Sequence, residues 1–175
     1  YSALKNISLP KSLMRLDSSV FRFCESLERV CLNAGMALAG SSSFDGTGIS
    51  FLRVPEGVTS LPKQFVASCK KLERIVIPRG VKTIGDSAFS GCESLLEIDI
   101  PEGVTEIPSW CFDTCKALRR INLPSTLTTV KSYGFFTMGR PNTAILDFRS
   151  ARQIPTLTDQ YGVSMSEKIF VPDEL

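Results

Sequence analysis

The sequence predicts a right-handed solenoid, a stack of about eight 23-residue coils with a parallel β-sheet on the concave side and short strands or helical turns on the convex side. The main observation is that four prolines, each preceded by an apolar-x-apolar triplet, recur 23 residues apart. They are Pro55, Pro78, Pro101 and Pro124. The same triplet continues in both directions and occurs eight times, at Ile7/Leu9, Val30/Leu32, Leu52/Val54, Ile75/Ile77, Ile98/Ile100, Ile121/Leu123, Leu146/Phe148 and Ile169/Val171.

The elements of one coil can be assigned from its pattern. Residues 96–100 alternate between apolar and acidic side chains, which predicts a strand with one buried face. The sequence Pro-Glu-Gly at 101–103 predicts a turn, and residues 104–107 predict a second short strand. Residues 86–89 and their neighbours are interpreted as a single helical turn that carries Phe89 inward.

Two further columns follow the repeat. An aromatic column consists of Phe21, Phe44, Phe89, Phe112 and Phe135, and Val66 interrupts it once. Three residues after it lies a column that contains Cys24, Cys69, Cys92 and Cys115. One coil buries about six or seven apolar side chains at about 1.5–3 kcal/mol each, whereas ordering its backbone costs about 1–2 kcal/mol per residue. A single coil is therefore unstable, and we expect stacked coils to stabilise one another.

The irregular segments modify this expectation. Residues 33–48 lack the proline and are rich in Gly and Ser, so they predict a looser convex segment. Residues 1–175 are interpreted as a single domain, in which 146–175 form irregular capping coils at the C-terminal end. Because Tyr1 falls in the middle of a repeat, we expect the chain to be a fragment of a longer array.

Composition argues against several function classes. The chain has 20 basic and 18 acidic residues, a net charge of +2, which does not favour a nucleic-acid binder. It contains no His, the commonest general base and metal ligand. No apolar run approaches the roughly 20 residues of a membrane-spanning helix. The sequence therefore favours a protein that is not an enzyme, has no cofactor and does not insert into a membrane.

Residues 75–95 contain the pattern Ile-x-Ile-Pro-x-Gly-Val-x-x-Ile-Gly-x-x-Ala-Phe-x-x-Cys-x-x-Leu, which resembles the BspA-type leucine-rich repeat. The resemblance extends over essentially the whole chain and implies a leucine-rich repeat solenoid. It also implies a bacterial protein that is secreted or exposed at the cell surface and adheres to host or matrix proteins or glycans. Some members of this family are encoded by prophages, which leaves a phage structural or receptor-binding role open.

The cysteine column has two interpretations. Neighbouring coils could bring the sulfur atoms together as a metal site or as disulfide bonds. Alternatively, the thiols form a buried, stacked column, since free cysteine is among the most buried residue types. Thr47 occupies the same column and can neither bind zinc in this way nor form a cross-link, so packing is favoured.

The outward positions of the first strand of each coil are the candidate ligand-binding residues, because repeat proteins commonly bind on their concave surface. Arginine and aromatic side chains there would suit a protein partner. The candidates are Arg29, Phe51, Arg53, Arg74, Val76, Glu97, Asp99 and Arg120.

Other interpretations of this surface remain open. Opposite charges such as Glu73 and Arg53 could pair across an ordinary solvated face. A carboxylate pair for glycoside hydrolysis is disfavoured, because a flat strand face provides no cleft that would raise a carboxyl pKa. The leading hypothesis is a non-enzymatic binding or adhesion module, and the alternative is a structural spacer or prophage-associated module whose recognition site lies elsewhere.

Overall fold

The computed structural model describes residues 3–135 and three later strands, at 145–147, 156–157 and 169–170. Each coil contains a first strand, a second strand and a turn segment. The first strands are β1 (Asn6–Ser8), β3 (Arg29–Cys31), β5 (Phe51–Arg53), β7 (Arg74–Val76), β9 (Glu97–Asp99), β11 (Arg120–Asn122), β13 (Ile145–Asp147) and β15 (Ile169–Phe170). The second strands are β2 (Arg15–Leu16), β4 (Ala37–Leu38), β6 (Ser60–Leu61), β8 (Thr83–Ile84), β10 (Glu106–Ile107), β12 (Thr129–Val130) and β14 (Thr156–Leu157).

The strands pair in parallel with the predicted repeat register. Ile98 of β9 lies beside Ile121 of β11, and Leu52 of β5 lies beside Ile75 of β7. These inward side chains are buried, as the alternating pattern predicts. The solenoid is thus confirmed, although the described residues form about five complete coils where eight are expected. Most of the expected capping region, 146–175, lies outside the described residues.

The turn segments differ in detail from the helical turn that the sequence predicts. We call residues 19–24, 42–47, 64–69, 87–92 and 110–115 the turn spine. Each segment begins at a residue with positive φ, such as Ser87 (57°), and reaches a second one four residues later, such as Gly91 (76°). These left-handed residues direct alternate N–H groups away from the segment, so they cannot continue a right-handed helix.

Within the described residues 19–134, the turn spine is hydrogen-bonded across each junction between neighbouring coils. The amides of Phe21, Phe44, Val66, Phe89 and Phe112 donate to carbonyls of the following coil at 2.9–3.3 Å. Both sheets, by contrast, lose their ladders between the second and third coils and again between the fourth and fifth. The continuous backbone connection along the stack is therefore the turn spine.

Residues 33–48 do not form the loose segment that the composition predicts, at least in their second half. Ser43, Phe44, Asp45 and Thr47 are buried. The Ser43 hydroxyl donates to the carbonyls of Asp17 and Gly40, at 2.9 and 3.0 Å. The small polar residues are thus used for close packing against the first coil, because their side chains satisfy buried backbone carbonyls.

Glycine contributes to the same close packing. A Cβ atom at Gly40 would lie 1.9 Å from the backbone N of Ser18, and one at Gly85 would lie 2.4 Å from that of Lys63. Both glycines follow a second strand, so only a residue without a side chain lets the coils approach this closely there.

The aromatic column is more continuous than the sequence predicts. Val66 holds the column position, but Phe65 is fully buried and its ring meets Phe44 edge-on at 5.6 Å. Phe21 stacks on Phe44 at 5.4 Å between ring centroids. Farther along, Phe112 stacks between Phe89 and Phe135. A shift of one residue in the third coil therefore preserves the aromatic contact with the second.

Candidate functional site

The predicted ligand-binding residues all lie on the outward face of the first strands, which we call the sheet face. Strand register places Phe51 beside Arg74 and Arg53 beside Val76. Arg29 is on β3, and the remaining three candidates are on β9 and β11, where Glu97 lies beside Arg120. The sheet face therefore has two parts: β3, β5 and β7 carry arginines and apolar side chains, and β9 and β11 carry mixed charges and amides.

A groove of about 750 Å³ lies in the first part, between β3 and β5. It coincides with the junction at which no ladder pairs these two strands. Arg29, Phe51 and Arg53 line it, so the structure brings three of the predicted residues together. The other lining residues are Glu28, Val30, Cys31, Leu32, Ala34, Ser50, Val54, Pro55 and Glu56.

The floor of the groove is apolar and its rim is polar. Val30, Val54 and Pro55 are buried, and Leu32 is half-buried. Phe51 stands above this floor with 44% of its surface exposed. An apolar floor with a few polar groups at the rim is the usual composition of a binding site.

The arginines of the sheet face are not neutralised by described neighbours. The salt bridges of the described residues lie elsewhere, and none includes Arg29, Arg53 or Arg74. The alternative in which Glu73 pairs with Arg53 is thus not found among the salt bridges of the described residues. Their guanidinium groups keep their donors available for a carboxylate or phosphate group.

The second part of the sheet face contains a side-chain hydrogen bond between neighbouring strands, whereas Glu97 and Arg120 form none of the salt bridges of the described residues. The Asn122 amide donates to Asp99 Oδ1 at 2.5 Å, and Glu97 faces Arg120 across the strand pair. Asp99 and Glu97 are exposed on this face. The carboxylates therefore lack the enclosure that acid–base catalysis on a sugar needs.

The cysteine column is packed in the interior, as the favoured interpretation predicts. All six cysteines are free thiols, and Cys24, Cys69, Cys92 and Cys115 are buried. Cys69, Cys92 and Cys115 donate to backbone carbonyls of the preceding coil at 2.9, 3.2 and 3.2 Å. Thr47 holds the same position and contacts Cys69 Sγ at 3.2 Å. A hydroxyl replaces a thiol here because both satisfy a buried partner.

Burial also determines the acidity of these thiols. Desolvation raises the pKa of Cys69 to about 11 and that of Cys115 to about 12. It raises the pKa values of Cys92 and Cys111 as well. The thiolate is the nucleophilic and metal-binding form, so these four groups are chemically inert near neutral pH.

Two further findings apply to the part of the chain that the structure describes. It contains no cluster of three or more His, Cys, Asp or Glu side chains arranged to hold a metal ion. It also contains no helix with the length and apolar character needed to cross a membrane.

The groove itself is the feature that sequence reasoning missed. Its acidic residues Glu28 and Glu56 and its exposed thiol, Cys31, were not among the predicted site residues. The available signal was the shortened spacing from Val30 to Leu52, which is 22 residues instead of 23. The 22-residue step coincides with this junction, but the ladder is also absent between β7 and β9, where the spacing from Ile75 to Ile98 is 23 residues. The spacing alone therefore does not identify the groove.

Comparisons with known proteins agree with this fold. The family model described as BspA type leucine-rich repeat region matches six copies, over residues 1–73 and 62–154. The crystal structure of a leucine-rich repeat protein from T. pallidum superimposes with a TM-score of 0.79 at 26% identity, covering 88% of this chain and 73% of that one.

A leucine-rich repeat protein from Eubacterium ventriosum shares the fold at 24% identity with a TM-score of 0.50. That alignment covers 87% of this chain but 49% of the other. Comparison with curated proteins finds no match. The repeats, the solenoid and the family model together establish that the chain belongs to the BspA type leucine-rich repeat family.

Proposed function

We propose that this chain is a non-enzymatic binding module, exposed at the cell surface or secreted, that uses its sheet face to adhere to a host or matrix protein. The observation that carries this proposal is the first part of the sheet face, where Arg29, Arg53 and Arg74 form no salt bridge with a described residue. Beside them Phe51 is 44% exposed, although it is a large apolar side chain.

This composition favours a protein partner. Arginine and aromatic side chains are enriched among the residues that contribute most to protein–protein affinity. The half-buried Val76 extends the apolar surface between Arg53 and Arg74. A partner with acidic and apolar groups would satisfy both features, whereas a uniformly charged polymer would leave the apolar surface uncovered.

The turn spine supports this role mechanically. Its backbone hydrogen bonds connect each coil to the next independently of the sheet face. We therefore expect the exposed residues of the first strands to be replaceable with little loss of fold stability, which leaves them available for recognition.

The experiment compares adherence of the purified chain and two triple variants to immobilised extracellular-matrix preparations and host-cell monolayers. The first variant is Arg29→Ser, Arg53→Ser and Arg74→Ser. The matched control is Lys63→Ser, Lys70→Ser and Lys71→Ser, which removes the same charge from exposed positions outside the first strands. We expect at least a tenfold loss for the arginine variant, which corresponds to about 1.4 kcal/mol, and little change for the control.

Equal adherence of the two variants, with both folded, would contradict the proposal. An equal loss in both would indicate a non-specific effect of net charge, which salt titration would reveal as a shared ionic-strength dependence.

A further inference from the structure

We infer that the groove between β3 and β5 binds an extended peptide segment that places one carboxylate side chain between Arg29 and Arg53 and an apolar side chain against Phe51. This inference rests on the proposed function, since it names the partner chemistry for one portion of the same sheet face.

The arrangement of the arginines supports a single carboxylate. Arg29 begins β3 and Arg53 ends β5, and both line the groove. They therefore line the groove from two different strands and stand at opposite ends of those strands. Guanidinium groups bind carboxylates through paired hydrogen bonds, and neither of these two has a described acidic partner.

The apolar floor of the groove favours a ligand that carries an apolar side chain in addition to the carboxylate. Val30 and Val54 are buried beneath the groove, and Phe51 exposes its ring beside them. Burying the ring and the adjacent floor against an aliphatic or aromatic side chain would remove apolar surface from water. A carboxylate next to such a side chain satisfies both requirements within two or three residues of a peptide.

The acidic rim restricts the rest of the ligand. Glu28 and Glu56 lie among the lining residues, at the start of one strand and in the turn after the other. β3 and β5 each contain three residues and span about 10 Å, which matches about three residues of an extended peptide. The two carboxylates disfavour further negative charge at the peptide ends and favour neutral or basic flanks. A polyanion, such as a sulfated polysaccharide, is disfavoured for the same reason.

The first experiment selects ligands from a displayed library of random heptapeptides on the immobilised chain. Binders are then screened against the variant Arg29→Ser/Arg53→Ser and against a matched control, Lys70→Ser/Lys71→Ser. The control removes the same charge from exposed positions outside the groove. We expect enriched peptides to carry one acidic residue adjacent to an apolar one, with neutral or basic ends. We also expect at least a tenfold loss on the groove variant and little loss on the control.

Cys31 supplies an independent measure of occupancy. It lines the groove and is exposed, whereas the other five cysteines are buried. Iodoacetamide should therefore alkylate Cys31 first in the folded protein. A synthetic copy of a selected peptide, at ten times its Kd, should slow this alkylation about tenfold, because only about a tenth of the protein remains unoccupied.

Several outcomes would overturn the inference: no enrichment, enrichment without an acidic residue, equal binding to the groove variant, or protection of Cys31 by heparin but not by the peptide. These are distinguishable from failure of the proposed function. If the triple arginine variant loses adherence while the groove selects no peptide, the sheet face still binds its partner but the groove does not receive a carboxylate. If the peptides bind but the triple arginine variant adheres as well as the parent protein, the groove is a binding site and the adhesion proposal is wrong.

Discussion

The turn spine and the sheet face respond differently to the same irregularity between the second and third coils. In the turn spine, Phe44 N still donates to Phe65 O at 3.1 Å, and the Phe44 and Phe65 rings remain in contact. On the sheet face, β3 and β5 form no ladder, and a groove opens between them. A solenoid connected along one side can thus open along another without losing the stack. The shortened spacing coincides with the groove, but β7 and β9 also lack a ladder at the regular 23-residue spacing.

The largest expected effect tests whether the turn spine carries the stability. Phe112 is fully buried between Phe89 and Phe135, and Phe112→Ala should lower the free energy of unfolding by about 3–5 kcal/mol because it leaves a cavity. Urea denaturation measures this. The matched change on the sheet face, Phe51→Ala, should cost less than about 0.5 kcal/mol. Similar costs for the two variants would contradict the division between the regions.

Alkaline pH should weaken the turn spine through its thiols. The pKa of Cys69 rises from 9.0 to about 11 on burial, so the folded state disfavours the thiolate. The protonated thiol's contribution to stability is fully present below pH 9 and is lost as the pH rises through 11. At pH 11 the free energy of unfolding should be lower by about 2 kcal/mol than below pH 9. Urea denaturation between pH 8 and pH 11 measures the slope. Cys69→Thr, a residue type that occurs naturally in this column, should show a shallower slope, and an identical one would contradict this origin.

A deletion within the cysteine column should have a moderate cost. Cys92→Ala removes a buried sulfur that donates to Val66 O at 3.2 Å, and we expect a loss of about 1–2 kcal/mol. Thermal and urea denaturation, each with and without a zinc chelator, provide the measurement. The exposed counterpart, Cys31→Ala, serves as the control and should be nearly neutral. Dependence on the chelator would contradict a packing role.

The smallest expected effect concerns the groove residues. Arg29→Ser/Arg53→Ser should change the free energy of unfolding by less than about 0.5 kcal/mol, because both side chains are exposed and neither forms a salt bridge with a described residue. Urea denaturation of the variant and of the parent protein, under the same conditions, measures this difference in the free energy of unfolding. A large loss would mean that these arginines support the fold, and the binding experiments would then need a different variant.

Much of the fold follows from the sequence because the repeat fixes it. The register that pairs Ile98 with Ile121 is the 23-residue spacing itself, and the inward alternation is the pattern of residues 96–100. The buried thiols were also predictable, since Thr47 in the same column argues for packing. The sheet-face residues were predictable as exposed positions, although their role in binding stays a prediction.

Other features were not predictable from the sequence. Ser87 and Trp110 have the left-handed backbone conformation, which their residue types rarely adopt. Hydrogen bonds from their amides to the next coil stabilise this conformation, and those bonds cannot be read from the local sequence. Residues 42–47 contain small polar residues typical of a mobile loop, yet most of them are buried. The Ser43 hydroxyl donates to the Asp17 carbonyl, and the Phe44 carbonyl accepts from the Cys69 thiol, so both neighbouring coils hold the segment in place. In both cases the partner lies some 20 residues away along the chain.

The sequence alone determined that this protein is a stack of equivalent coils with an apolar interior, because a periodic pattern of buried side chains can be satisfied only by periodic stacking. The tertiary structure alone decided where the stack is continuous and where it opens. Whether two strands form a ladder depends on the distance between their backbones. That distance is set by the packing of whole coils, such as the close approach at Gly40 and the shifted ring of Phe65, rather than by the strand residues themselves.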